Sequence, residues 1–198
     1  MEQSLAIIEE ELERLPISLN KYRVSAGAGR SQAFGVVGRR GEPTDYSRQN
    51  WLRPYLYKLL LDFGAAHVPF PFTSITVNQN YKSLPHKDKG NIGDSFLIAF
   101  GDYTGGELEI HEGEMTGLYT IKNTPVITDF SKVTHSTKDF TGNRYSLVFY
   151  TAKNSEGLPP PSVRMVDGKW LFYRGDVVCK SLPHPLLGRK KSATQSTQ

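Results

Sequence analysis

The chain has 198 residues, 38% of them hydrophobic and 22% charged, with a formal net charge of +4. That suffices for one domain with a proper core, expected over 1–187, ahead of a polar, basic and disordered tail at 188–198. No run approaches the roughly 20 apolar residues of a membrane span, and the lone Cys179 excludes an internal disulfide and a multi-cysteine zinc site.

The N-terminal stretch MEQSLAIIEEELERL lacks the basic and apolar regions of a secretory signal. Together with the single cysteine this predicts an intracellular setting, nuclear or cytoplasmic. Leu5, Ile8, Leu12 and Leu15 recur at helical spacing, so a helix is expected over 3–15, stopped by Pro16. Residues 25–43 are rich in Gly, Arg and Ser, and their glycines do not fit a dinucleotide fingerprint. They read as loop plus a short strand at Ala33–Val37, or else as a flap over an active site. A second helix is expected from a Ser47 cap to about Phe63, with Leu52, Leu56, Leu59, Leu60 and Phe63 inward. Pro54 falls in its first turn and Gly64 ends it.

From Phe72 the period changes to that of strands. Segments Thr73–Tyr81, Ser95–Phe100, Glu107–His111, Gly117–Ile121, Val126–Phe130 and Tyr145–Ala152 are separated by turns rich in Gly, Asp and Asn. The pattern predicts a mainly β (α+β) fold, a double-stranded β-helix or jelly roll with N-terminal buttressing helices. Asp167-Gly168 between apolar runs predicts a hairpin over Val163–Val178.

The chemistry concentrates in an ordered set: His86-x-Asp88, a distant His135, then Arg144-x-Ser146. In an extended segment residues two apart point the same way, so His86 and Asp88 can share one ion. Two imidazoles and one carboxylate leave coordination positions open, as in the facial triad of non-haem Fe(II) oxygenases. Arg144 is a planar fork suited to bidentate capture of a carboxylate, with Ser146 beside it. The set points to Fe(II), 2-oxoglutarate and O2, with ascorbate as an accessory reductant. A cupin-like metal site would draw on more His and Glu ligands than the chain offers.

Three stretches carry a narrower likeness: Ile75–Tyr81 with His86-Lys-Asp-Lys-Gly-Asn91, the segment Ser95–Leu108 with Gly-Asp-Tyr-Thr-Gly-Gly-Glu-Leu, and Gly142-Asn-Arg-Tyr-Ser-Leu-Val-Phe-Tyr150. Over 73–151 the chain resembles the TET/JBP family of 2-oxoglutarate dioxygenases, which oxidise the 5-methyl group of pyrimidine bases in nucleic acids. The resemblance implies His86, Asp88 and His135 as iron ligands and Arg144 and Ser146 as the 2-oxoglutarate clamp. It places Asn91 against a flipped base, although Asn91 also suits the turn after Gly90. Asn78, expected to share a strand face with Asn80, either reaches the cosubstrate or pairs with backbone. Tyr81 and Tyr103 either stack on a base or pack. Lys82, Lys87 and Lys89 form either a phosphate-tracking rim or an ordinary solvated surface. The cysteine-rich zinc-binding region that flanks vertebrate TET domains is missing.

DNA or RNA is therefore the expected substrate, with no membrane and no obligate protein partner. The alternatives are a hydroxylase of a protein side chain or small molecule, and a non-catalytic jelly-roll binding module.

Overall fold

The computed structural model describes residues 1–15, 17, 27–39, 42–155, 158 and 160–183. The chain divides into two compact units, Met1–Pro160 and Pro161–Gln198. The expected tail at 188–198 lies outside the described residues.

The first unit begins with helix α1, Glu2–Arg14, which buries Leu5, Ile8 and Leu12 while Leu15 stays exposed beyond its end. Strand β1, Gly27–Arg39, then runs far beyond the expected Ala33–Val37 and pairs antiparallel with β2, Glu42–Tyr46. The described part of the glycine-rich stretch is thus a paired strand rather than a loop or flap. Its glycines hide the strand signal because they carry no side chain to alternate.

The second expected helix is two helices, α2 (Gln49–Leu52) and α3 (Pro54–His67). Arg53 between them has φ −134° and ψ 60°, because a proline disfavours helical geometry in the residue before it. Leu52 consequently turns outward and is exposed. Gly64 does not end α3 but lies inside it, where an added Cβ would come within 3 Å of the Phe72 and Phe149 rings. This glycine serves close packing.

The strands that follow are β3 (Ser74–Ser83), β4 (Asn91–Phe100), β5 (Tyr103–Gly105), β6 (Leu108–Ile110), β7 (Gly117–Tyr119), β8 (Val126–Thr128), β9 (His135–Thr137), β10 (Phe140–Gly142) and β11 (Tyr145–Ala152). One six-stranded sheet has the order β2-β1-β3-β11-β4-β8; a three-stranded sheet is ordered β7-β6-β9, and β10 pairs with β5. Short strands such as β5, β9 and β10 escape periodicity, since three residues show too little alternation to be read.

The large sheet carries core residues on both faces. Phe96, Ile98, Leu147, Phe149, Ile75 and Val77 share one face. Phe63 of α3 meets Phe96 and Phe149 there, and Tyr57 stacks on Phe34, so α3 buttresses this side as expected. On the other face Leu97 and Ala99 join a core cluster with Leu108 and Ile110 of β6, Ile121 and Phe130. Two sheets packed face to face, mostly antiparallel, make this a jelly roll.

In the second unit, β12 (Ser162–Val166), β13 (Lys169–Arg174) and β14 (Val177–Pro183) form a three-stranded antiparallel sheet. Asp167 and Gly168 both take positive φ, 47° and 72°, as a type I′ turn requires. Gly175, at φ 59°, turns the chain again into the third strand. Among the described residues no helix is long and apolar enough to cross a membrane.

Replacing Gly64 by Ala sets a helix-propensity gain of about 1 kcal/mol against an overpacking cost of about 1–3 kcal/mol. Contact with two aromatic rings at once makes the cost prevail. Denaturant unfolding of Gly64→Ala should show reduced stability; equal or greater stability would show that Phe72 and Phe149 yield freely.

Candidate metal and carboxylate site

The site begins with backbone pairing. His86, after β3, donates its N–H to the His135 carbonyl at 3.0 Å, and His135 returns the bond at 2.9 Å. This antiparallel exchange places the two imidazoles with centroids 4.4 Å apart. Asp88 is fixed by its own N–H, which donates to the Phe130 carbonyl at 2.9 Å. The ligand atoms of His86, Asp88 and His135 all lie within 4.8 Å of one another. His86 Nε2 is 3.4 Å from Asp88 Oδ1, and His135 Nε2 is 4.0 Å from Asp88 Oδ2.

Each imidazole is oriented from behind. His86 Nδ1 contacts the Leu84 carbonyl at 2.7 Å and His135 Nδ1 the Val133 carbonyl at 3.2 Å. Carbonyls only accept, so each Nδ1 carries a proton, and Nε2 is the ring nitrogen turned toward the shared centre. Burial pulls the His135 pKa below its ordinary value, against the opposing pull of Asp88. A neutral imidazole is the form that binds metal.

Arg144 immediately precedes β11 and Ser146 is its second residue, and both are buried, at 3% exposure each. Arg144 lies against the Tyr103 and Phe140 rings, its guanidinium carbon 5.5 Å from each centroid. Gly106, at φ 69°, clears its path: a Cβ there would stand 2.9 Å from Arg144 Nε. Burial lowers the guanidinium pKa, while Tyr103 and Glu107 raise it. Its Nε is buried and has no hydrogen-bond partner among the described residues. A buried cation with an unused donor suits an anion.

Both groups face one cleft of about 1140 Å³. Alternation along the large sheet explains this. Thr76 and Asn78 of β3 stand opposite Val148 and Ser146 of β11, and these four side chains line the cleft. Asn78 Nδ2 donates to Ser146 Oγ at 3.2 Å, so Asn78 pairs with a side chain beside Arg144. Asn80 does not share its face. With φ 50° it breaks the alternation, and Tyr81 and Ser83 line the cleft in its place.

Asn91 is buried at 7%, lines the cleft and donates to Ser95 Oγ at 3.4 Å, while its N–H also closes the turn onto the Asp88 carbonyl. Both uses foreseen for it are therefore open to one residue. Lys89 is exposed at the cleft. Lys82 and Lys87 are held in ion pairs by Asp139 and Glu112. Tyr103 packs in the core beneath Arg144 rather than lining the cleft.

Glu112 and Gly106 carry no sequence signal of their own role. Glu112 accepts from the Thr134 N–H at 2.7 Å and pairs with Lys87 at 2.9 Å. One carboxylate thus joins the neighbours of all three candidate ligands. Its pKa is lowered to about 2, first by the Thr134 hydroxyl and then by Lys87.

No protein-family model and no curated protein matches the chain. Among solved structures, NgTET1 in complex with 5mC DNA aligns with a TM-score of 0.53 at 16% identity, over 78% of this chain and 70% of the other. A 2OG-Fe(II) oxygenase family oxidoreductase from Burkholderia pseudomallei gives 0.48 at 19% identity, over 76% and 80%. A Pseudomonas putida prolyl-4-hydroxylase gives 0.45 at 13%, over 76% and 85%. The first of these likenesses is one of fold; the other two are fainter.

A lowered carboxylate pKa stabilises the folded state above the unfolded value, 4.5, and that contribution is lost as pH falls toward about 2. Glu112→Gln should flatten the stability–pH curve between those values and weaken divalent-metal binding in calorimetry. An unchanged metal affinity would show that Glu112 merely decorates the surface.

Proposed function

We propose that this chain is an Fe(II)- and 2-oxoglutarate-dependent dioxygenase that oxidises the 5-methyl group of a pyrimidine base, 5-methylcytosine or thymine, in nucleic acid. The observation that carries the reading is the convergence of His86, Asp88 and His135 in the cleft that also holds a buried Arg144 with an unpartnered Nε. Two imidazoles and a carboxylate fit a ferrous ion that must keep positions open. A buried guanidinium beside a serine hydroxyl fits the distal carboxylate of a 2-oxo diacid.

When bound, Fe(II), 2-oxoglutarate and O2 supply the oxidation: one oxygen atom enters the substrate C–H bond, the other enters succinate, and CO2 leaves. The chain's part is placement. His86, Asp88 and His135 hold the metal, with both Nδ1 protons locked on carbonyls. Arg144 and Ser146 hold the diacid, with Asn78 orienting the serine. Leu97, Leu108, Ile121 and Val148 give this part of the cleft an apolar lining that limits water. Asn91, Tyr81 and Lys89 line the same cleft, where an extruded base would enter. Support for a methylated base comes from the TET/JBP-like segments and from the likeness of fold to NgTET1.

One observation favours a second reading, hydroxylation of a protein side chain or small molecule. Lys82 and Lys87 spend their charge on Asp139 and Glu112, which leaves Lys89 and Lys153, among the described residues, as the lysines lining the cleft beside the Arg144 clamp. That is a thin track for a phosphate backbone.

Nucleoside mass spectrometry separates the readings. Purified protein with Fe(II), 2-oxoglutarate and ascorbate should convert 5-methylcytosine or thymine in DNA or RNA, and raised salt should slow it. His86→Ala and Asp88→Ala should abolish the conversion. Succinate formation indifferent to every nucleic acid, with a hydroxylated peptide or metabolite found instead, would favour the second reading. Arg144→Ala should raise the 2-oxoglutarate requirement roughly 10- to 150-fold, since a charge-assisted hydrogen bond is worth about 1.5–3 kcal/mol. An unchanged requirement would remove Arg144 from the clamp.

A further inference from the structure

We propose that Asn80 is the positioning residue for Arg144: it grips the backbone of Arg144 on both sides and so sets where the guanidinium enters the cleft. The inference rests on the 2-oxoglutarate reading above and deepens it. Four non-glycine residues among those described have positive φ: Asn80, Asn123, Asn154 and Asp167. Asn80 alone of the four lies inside a strand. Left-handed backbone in a strand is costly, and Asn tolerates it better than most residues. Retained strain of this kind is a pointer toward function.

The conformation does two things. It shifts the inward-facing positions of β3, so that Tyr81 and Ser83 line the cleft after Thr76 and Asn78. It also turns the Asn80 side chain toward the two residues just ahead of β11. Asn80 N–H donates to the Arg144 carbonyl at 2.7 Å, and Arg144 N–H donates to Asn80 Oδ1 at 2.7 Å. Asn80 Nδ2 donates to Asn143 Oδ1 at 3.1 Å. Regular pairing of β3 with β11 reaches only to Gln79 and Tyr145, so the ladder ends one residue short of Arg144. Without Asn80, Arg144 would sit on a strand end beyond the sheet's own hydrogen bonds.

The Arg144 side chain is also confined by its neighbours. Gly106 leaves room on one side, and the Tyr103 and Phe140 rings flank it. Backbone held at one end and rings at the other leave the guanidinium little freedom, which is how a buried fork is preorganised for a carboxylate.

The test uses the full chain loaded with Mn(II), which occupies the metal site without turnover, and 2-oxoglutarate titrated by calorimetry. Asn80→Gly keeps the left-handed backbone but loses the side-chain bonds. It should weaken 2-oxoglutarate binding by about tenfold, the lower end of what outer-shell partners contribute, while Mn(II) affinity stays within about twofold. Asn80→Asp keeps the acceptor for Arg144 N–H and should restore most of the affinity. Hydrogen exchange at the Arg144 amide should quicken in Asn80→Gly and not in Asn80→Asp. A merely structural residue would lower thermal stability without dividing the two affinities. Wild type that binds 2-oxoglutarate together with Asn80→Gly that binds it equally well overturns this inference alone. Wild type that binds Mn(II) but no 2-oxoglutarate overturns the cosubstrate reading as well.

Discussion

Two backbone hydrogen bonds between His86 and His135 are what the rest of the site depends on. They pair the segment after β3 with the start of β9, and they place two imidazoles side by side before any side chain takes part. Asp88 then needs only the extended geometry of its own segment and one bond to Phe130 to face the same centre. A site built from main-chain pairing is rigid for the reason sheets are rigid. The main-chain N–H groups of His86, Asp88 and His135 that define it are already satisfied.

The large sheet supplies the second half of the design. Its alternation sends Phe96, Ile98, Leu147 and Phe149 to the helical side and Leu97, Val148 and Ser146 to the opposite side. That division explains how a strand as apolar as Ser95–Phe100 can both anchor a core and line a cleft. It also explains why Arg144 comes into the cleft from just before β11, two residues ahead of Ser146. The cost of burying that guanidinium is met partly by the aromatic rings around it, which leaves Nε unused and the pocket biased toward an anion.

Much of this was legible in the sequence because it rests on spacing. His86-x-Asp88 and Arg144-x-Ser146 are two-residue steps in extended chain, and period two is the most readable property of a strand. β11 was bounded correctly, and the jelly-roll class followed from the run of short strands. What escaped lay where no period operates. β1 is obscured by its glycines, the break at Arg53 by an apolar pattern that runs on across Pro54, and β9 and β10 by their length. Glu112 and Gly106 matter through neighbours far away in sequence, and nothing in their own surroundings announces it. Alternation alone puts Asn80 on the face of Asn78, and a positive φ is the one thing alternation does not foresee.

The central claim is that one ferrous ion and one 2-oxo acid meet between His86, Asp88, His135 and Arg144. Anaerobic titration of the purified chain with Fe(II) and then 2-oxoglutarate tests it most directly, because chelation of Fe(II) by a 2-oxo acid produces a visible charge-transfer band. The account predicts a saturable band at one equivalent of each, absent when His135 is replaced by alanine. No band in the wild type, or one that survives that replacement, would contradict it.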